Sequence, residues 1–298
     1  MKTNTNLEQS LMQDIKSLIK SGVLIANVVP VVTGFWLAIY FTGSIFSDFW
    51  FQFLMVTIGS ALVMAGALII NNWYDADIDA VMDRTVQRPT VTGHFSLKTV
   101  LRLGIATTII GFILLLFTNW EVVLYSFIGW FTYVVPYTMW SKRKYTLNTI
   151  IGSLSGAVTP LMGWAVVDSA IHIIPLSLFM LLFIWQVPHT FATAIRKYKE
   201  YKAAGVAMLP VVRGFEVTKR QMVIYIACLI PLPFFMASLG IVFVIISSAL
   251  NIAWLILALS GFFMKDIMKW ARWNFLYSVN YLMLIFLLTM IVTLPIFS

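Results

Sequence analysis

Four of the chain's 12 acidic residues, Asp75, Asp77, Asp79 and Asp83, fall within nine positions of the stretch Asn71–Thr85, NNWYDADIDAVMDRT. The stretch follows directly on the apolar run FWFQFLMVTIGSALVMAGALII, and carboxylates beside hydrocarbon are expensive. If the helix of that run continues, residues four apart are offset by about 40° and about 6 Å. Asn71, Asp75 and Asp79 then form one stripe, Asp77 points about 200° away from Asp75, and Asp83 falls near the stripe's end. Two like charges this close repel unless a cation neutralises them. An amide and two carboxylates on one face suit Mg²⁺, which takes one or two carboxylates and leaves other positions to water and phosphate. The chemistry indicated is a metal that bridges aspartates and a pyrophosphate.

Arg84, Arg88 and Pro89 follow at once, Lys142, Arg143 and Lys144 come later, and Arg196, Lys197, Lys199, Glu200 and Lys202 form a third group. A carboxylate floor with a basic rim matches a diphosphate and its metal. Membrane topology alone would place most of these cations on one face, so each taken singly is a weaker signal than the spaced carboxylates. His189, in Trp185–His189 (WQVPH), lies in an apolar run about two turns before Arg196. An ionisable residue at membrane depth is a candidate substrate contact or proton acceptor. His94 and His172 read as structural. No HxxxH pair and no CxxCH occur, so no resident transition metal or haem centre is expected. The single cysteine, Cys228, can form no intrachain disulfide.

The elements that carry these residues follow from composition. Sixty per cent hydrophobic residues, 11% charged and a mean hydropathy of +0.91 exclude an ordinary soluble domain, which is nearer a quarter charged. Several runs reach the roughly 20 apolar residues needed to cross hydrocarbon as helices. The reading is an all-α membrane protein, a single domain over 1–298 built as a bundle of nine transmembrane helices. The spans fall at about 23–41, 50–70, 100–118, 121–140, 149–167, 171–194, 222–239, 241–263 and 275–296. With the N-terminus in the cytoplasm and the C-terminus outside, all 20 Lys and Arg residues fall in the tail or in inner loops, as the positive-inside rule requires. The outer loops carry Asp48, Glu121 and Asp168 instead. The pI of about 9.6 therefore reflects topology and anionic lipid rather than nucleic acid. Residues 1–20 are polar, and no cleavable signal is expected.

The inner loops after spans 2 and 6 are the long ones, about 28 and 27 residues, and loops of such length are usually functional or disordered. Each mixes charge, Pro, Gly and apolar residues as a folded cap would, which places function at the cytoplasmic ends of spans 2 and 6. Gly152 and Gly156 form a GxxxG on span 5 that favours close packing inside the chain. Pro136, Pro160 and Pro188 are expected to interrupt spans 4, 5 and 6.

Taken with WSKR (Trp140–Arg143), WQVPH and EYKAAGVAMLPVVRG (Glu200–Gly214), the stretch NNWYDADIDAVMDRTVQRP resembles the UbiA-type intramembrane prenyltransferases over about 20–290. Within them it is similar to the branch that farnesylates protohaem IX. NxxxDxxxD marks the superfamily alone, whereas DxDxxMxRTxxRP with WQxPH marks the haem O branch. The resemblance implies farnesyl diphosphate and haem b as substrates, Mg²⁺ as cofactor, and addition of a hydroxyethylfarnesyl group at a haem vinyl. It implies that Asn71, Asp75 and Asp79 hold the metal and that Arg84, Arg88, Lys142 and Arg143 neutralise the leaving diphosphate. Arg196, Lys199 and Lys202 would extend that rim, and Asp75, Asp79, His189 and Glu200 would be the catalytic set. Two departures stand out. Where the superfamily carries a second DxxxD, this chain reads Arg196–Lys202 (RKYKEYK) with one carboxylate, so either Glu200 holds a second Mg²⁺ alone or the lysines replace that metal. Ala207 stands where Pro is expected before Met-Leu-Pro. The implied setting is a bacterial plasma membrane with the site facing the cytoplasm, and the implied partners are a haem A synthase or a terminal oxidase. The rival readings are a prenyltransferase for a quinone precursor or other aromatic acceptor, and a transporter. Transport would favour acidic residues near the midplane, and here they cluster at one face.

Overall fold

The structure, a computed structural model, describes residues 11–294, and all regular secondary structure among them is helical. The helices are α1 (Ser21–Thr42), α2 (Phe46–Tyr74), α3 (Leu97–Leu115) and α4 (Trp120–Thr132), the last continued by a π-helical stretch, Tyr133–Ser141. Then come α5 (Asn148–Ala157), α6 (Thr159–Trp164), α7 (Ile173–Arg196), α8 (Leu209–Ala227), α9 (Ile241–Leu259) and α10 (Ile267–Val292). Among the described residues seven helical segments, α1, α2, α3, α4 with its extension, α7, α9 and α10, are long and apolar enough to cross a membrane.

Two expected spans take another form. The span expected over 149–167 is divided at Val158 between α5 and α6. Pro160 sits in the first turn of α6, where its missing N–H costs nothing, but it could not continue a helix from α5 without losing a bond. The span expected to begin near 222 begins at Leu209, turns at Gly214 (φ 78°, ψ 175°) and ends at Ala227, before a short turn of helix at Leu232–Phe235. Its first twelve residues carry Arg213, Glu216, Lys219 and Arg220, so hydropathy does not register that part although the residues favour helix. Pro188 was expected to interrupt its span, yet α7 runs through it from Ile173 to Arg196. Pro136 does distort α4: the backbone there widens, and Lys142 N–H donates to Tyr137 O, five residues back, at 2.9 Å.

Close helix approach rests on small residues, because lipid gives apolar side chains no reason to prefer one another. α2 lies against α3 so tightly that a Cβ on Gly66 would stand 2.2 Å from Thr108 Oγ1. α1 crosses α6 with a Cβ on Gly34 only 2.1 Å from Pro160 O. The Gly152/Gly156 pair packs within the chain: Gly152 faces the Tyr137 ring and Gly156 faces Gln186 and Asn27.

The loops after α2 and α7 are folded, with short helices at Ala76–Asp79, Pro89–Thr92 and Tyr198–Ala203. Ile78 and Met82 from the first loop pack with Ala194 of α7 and with Val206 and Met208 from the second. The two caps are thus one layer at one end of the bundle.

Candidate active site

α2 closes at Tyr74, and Asp75 leaves helical geometry at φ −92°, ψ 7°. Its N–H still donates to Asn71 O at 2.9 Å, and Asp79 N–H donates to Asp75 O at 2.8 Å. The four-residue register therefore crosses the break and brings Asn71, Asp75 and Asp79 to one buried face, 2%, 0% and 1% exposed. Asp77, on the opposite side, has 64% of its side chain exposed, and Asp83 is also exposed.

Each polar group of that face meets a cation. Lys142 pairs with Asp75, Arg88 pairs with Asp79, and Lys20 donates to Asn71 Oδ1. Arg143 lies 3.7 Å from Asp75, donates to both oxygens of Asp77 at 2.6 and 2.7 Å, and donates to Tyr74 O at 3.0 Å. Asn71 Nδ2 donates to Asp75 Oδ2 at 2.8 Å and to Thr138 Oγ1 at 3.0 Å. The π-helical stretch matters here, because it delivers Thr138 and sets the start of the loop that carries Lys142 and Arg143. Thr85 Oγ1 donates to Asp79 O at 2.9 Å and folds the loop back over the site. Arg143 holds the Asp77 carboxyl below its usual range through these hydrogen bonds. Burial pushes the Lys20 ammonium well below its ordinary value, and repulsion from Arg88 and Lys142 adds to this against the attraction of Asp75 and Asp79.

The residues fit a hard dication. Asp75 Oδ1 is buried and accepts no hydrogen bond. Among the described residues no group of three or more His, Cys, Asp or Glu converges. A metal here would take two carboxylates and an amide and leave its other positions to water or phosphate. The four cations around three carboxylates leave positive charge in surplus, which suits a phosphate-bearing ligand.

Arg84 of the first cap reaches the second cap. Its guanidinium lies 3.9 Å from Glu200, 3.5 Å from Tyr201 Oη and 5.7 Å from the Tyr201 ring centre. Glu200 accepts from Lys197 at 2.7 Å, while its Oε2 is buried without a hydrogen bond. Arg196, Lys199 and Lys202 are exposed; Arg196 lies over the Phe275 ring at 4.3 Å and Lys202 over the Tyr198 ring at 5.7 Å. His189 sits between α7 and α10, its Nδ1 2.8 Å from Ser278 Oγ and its ring stacked on Trp185 at 4.7 Å. The structure thus gathers Asn71, Asp75, Asp79, Arg88, Lys142 and Arg143, pairs Arg84 with Glu200 and Tyr201 of the second cap, and leaves His189, Arg196, Lys199 and Lys202 on other contacts. His172 closes the first turn of α7 by accepting from Ile174 N–H at 3.3 Å, and His94 pairs with Asp14 at 3.1 Å. Lys20, Thr138 and Thr85 escaped sequence reasoning. Lys20 alone had a sequence signal, as the last charge before the apolar run of α1.

One turn of α2 away from Asn71 lies a largely apolar chamber of about 90 Å³, lined by Leu24, Ala67, Leu68, Trp130, Tyr133 and Met162 among others.

The family described as "UbiA prenyltransferase family" matches residues 27–279, and the chain belongs to it. Within that family, a protein of Oceanobacillus iheyensis named "Protoheme IX farnesyltransferase" is 56% identical over 286 residues, 96% of this chain and 91% of that one. A protein of the same name from a Geobacillus species is 49% identical over 96% of this chain and 93% of its own length. Among solved structures, a UbiA homologue from Archaeoglobus fulgidus bound to GPP and Mg²⁺ superposes with a TM-score of 0.68 at 18% identity, covering 93% of this chain and 99% of that one. At that identity the likeness speaks for the fold.

Proposed function

We propose that the chain transfers the farnesyl group of farnesyl diphosphate to a vinyl group of protohaem IX, with addition of water, to give haem O. The observation that carries this is the buried Asn71–Asp75–Asp79 face with Lys20, Arg88, Lys142 and Arg143 around it, above an apolar chamber, in a chain 56% identical to a named protoheme IX farnesyltransferase. Magnesium held by Asn71, Asp75 and Asp79 would stabilise the charge that builds on the diphosphate as it leaves.

The chain's own residues do the rest. Lys142 and Arg88 hold the carboxylates as ion pairs before the ligand arrives and can turn to its phosphate oxygens afterwards. Arg143, anchored on Asp77 and Tyr74 O, approaches from the rim. The apolar chamber keeps water from the allylic cation, and the faces of Trp130 and Tyr133 can steady it. Glu200, with Arg84 and Lys197, forms the far wall of the diphosphate site. Arg196, Lys199 and Lys202 draw the anion in from outside.

The membrane reading is nine spans, with α5–α6 and α8 with Leu232–Phe235 supplying the two broken ones. The N-terminus and the site face the cytoplasm of a bacterial cell, and the C-terminus lies outside. A haem A synthase or terminal oxidase would take the product. The test is expression in a host that lacks haem O: mass and absorption of extracted haem should show haem O. Protohaem alone, from membranes that contain the protein, would sink the reading.

A further inference from the structure

His189 lies within a spanning helix, and nothing in the diphosphate site uses it. Its neighbours fix the imidazole on three sides. Nδ1 is 2.8 Å from Ser278 Oγ, and the ring stacks on Trp185 at 4.7 Å and meets Phe275 at 5.1 Å. Trp185 is itself tied down, its Nε1 donating to Ser278 O at 2.8 Å. Ser278 Oγ gives its single proton to Phe275 O at 2.6 Å. It can therefore only accept from the imidazole, so Nδ1 carries the ring proton and Nε2 presents a bare lone pair. Nε2 makes no hydrogen bond among the described residues and is not closed off from a water-sized probe. His189, Trp185 and Phe275 are all half-buried.

A neutral imidazole whose other nitrogen donates to a fixed partner is the arrangement of a metal ligand. A bare cation is not its match, because among the described residues no group of three or more His, Cys, Asp or Glu converges. A metal that meets a single protein nitrogen must bring its remaining ligands with it, as the iron of a tetrapyrrole does. Resting on the activity proposed above, we infer that His189 Nε2 is the axial ligand of the haem iron while haem is held as substrate. The lone pair of Nε2 forms the coordinate bond, and no proton has to leave.

The surroundings suit the rest of that molecule. Trp185 and Phe275 offer apolar faces beside the imidazole. Arg196 stands over the same Phe275 ring at 4.3 Å, seven residues from His189 toward the caps, about 10 Å of helix rise. Its long-range pull on the diphosphate leaves its donors free for one of the carboxylates at the haem edge. The vinyl groups lie at the porphyrin edge away from those carboxylates. They would point back along α7 to the level of Gln186, three residues before His189, which lines the apolar chamber beside the metal face.

The test is titration of the purified protein with protohaem IX, with iron-free protoporphyrin IX as control. Wild type is expected to bind haem with the absorption and resonance Raman signature of an iron–imidazole bond. His189→Ala should lose that signature and bind haem at least about ten-fold more weakly, the scale on which disturbing a ligand lowers metal affinity. Its affinity for the iron-free ring should stay, and added imidazole should restore the signature. Ser278→Ala keeps the ligand but frees its ring, and should weaken haem binding by about ten-fold with the iron-free ring unaffected. An imidazole signature that persists in His189→Ala would overturn the inference. So would equal losses for haem and the iron-free ring in both variants, because His189 would then only be packing. If His189→Ala fails to purify as one species, Ser278→Ala decides, and unchanged haem affinity there overturns the inference. Wild type that forms haem O but shows no imidazole signature sinks the inference and spares the activity. Wild type that forms no haem O overturns the activity reading, whatever the spectra show.

Discussion

The ends of α2 and α7 look alike in sequence and differ in the fold. Each closes a long apolar helix, each runs into a folded cap, and each cap mixes acidic with basic residues. At the end of α2 the carboxylates are buried and the cations come from elsewhere in the chain, Lys20 from before α1 and Lys142 from after α4. At the end of α7 the one carboxylate, Glu200, takes its nearest cation from three residues away, and Lys199 and Lys202 face outward. A buried charge whose partner lies far along the chain is held by the whole bundle, and removing either side leaves an uncompensated charge. A local, half-exposed pair is screened and worth little. On the proposed function the first end carries the chemistry and the second walls and supports it.

That contrast predicts the steepest losses at the first end. Asp75→Ala and Asp79→Ala are expected to lower haem O formation per inserted protein by about 10²-fold or more, the scale of losing a group that stabilises transition-state charge. Asp75→Asn, which keeps the shape and spares Lys142 a cavity, should lose activity without losing the fold. Near-wild-type turnover in these variants would end the case for the metal face. Chelation of divalent cations in the membranes should abolish turnover, and added Mg²⁺ should restore it. Full activity under chelation would remove the metal from the account. Glu200→Gln is the next step down, and it decides what the second cap does. If Glu200 only positions Arg84 and Lys197, the loss should stay within about ten-fold, in line with the net worth of one ordinary hydrogen bond. A loss as deep as that of Asp75→Asn would mean that Glu200 holds a metal of its own, and the contrast between the two ends would fail.

Sequence legibility follows the same division. The register of Asn71, Asp75 and Asp79 was readable because four-residue spacing is local. It survived even though α2 ends at Tyr74, because two backbone bonds carry it past the break. The outward turn of Asp77 was readable for the same reason. The partners were not, since Lys20 and Thr138 reach Asn71 across 51 and 67 residues, and no periodicity encodes that. The bundle was legible from hydropathy, apart from the two segments where proline or charge interrupts the apolar run, at Pro160 and between Arg213 and Arg220. Pro188 misled in the other direction, because a proline breaks one hydrogen bond without always ending a helix. Ala207 touches the site's surroundings through its backbone, its carbonyl accepting from Asn148 Nδ2 at 3.0 Å. A proline there would offer the same oxygen, so this departure from the family pattern leaves that bond intact.

The smallest expected effects probe the contrast most finely. Lys199→Ala and Lys202→Ala remove exposed cations that, on the proposed function, would act on the diphosphate only through solvent, where salt screens them. They should leave kcat unchanged and raise KM by no more than about two- to three-fold at low ionic strength, corresponding to an exposed pair worth roughly 0.2–1 kcal/mol. The KM difference from wild type should vanish as salt is added. Asp77→Asn should behave in the same mild way although it lies two residues from Asp75, because its partner Arg143 keeps its hold on Tyr74 O. A fall in kcat at Lys202 would bring the second cap into direct contact with substrate. A fall in kcat at Asp77 would mean that burial fails to divide working carboxylates from bystanders within a single turn of helix.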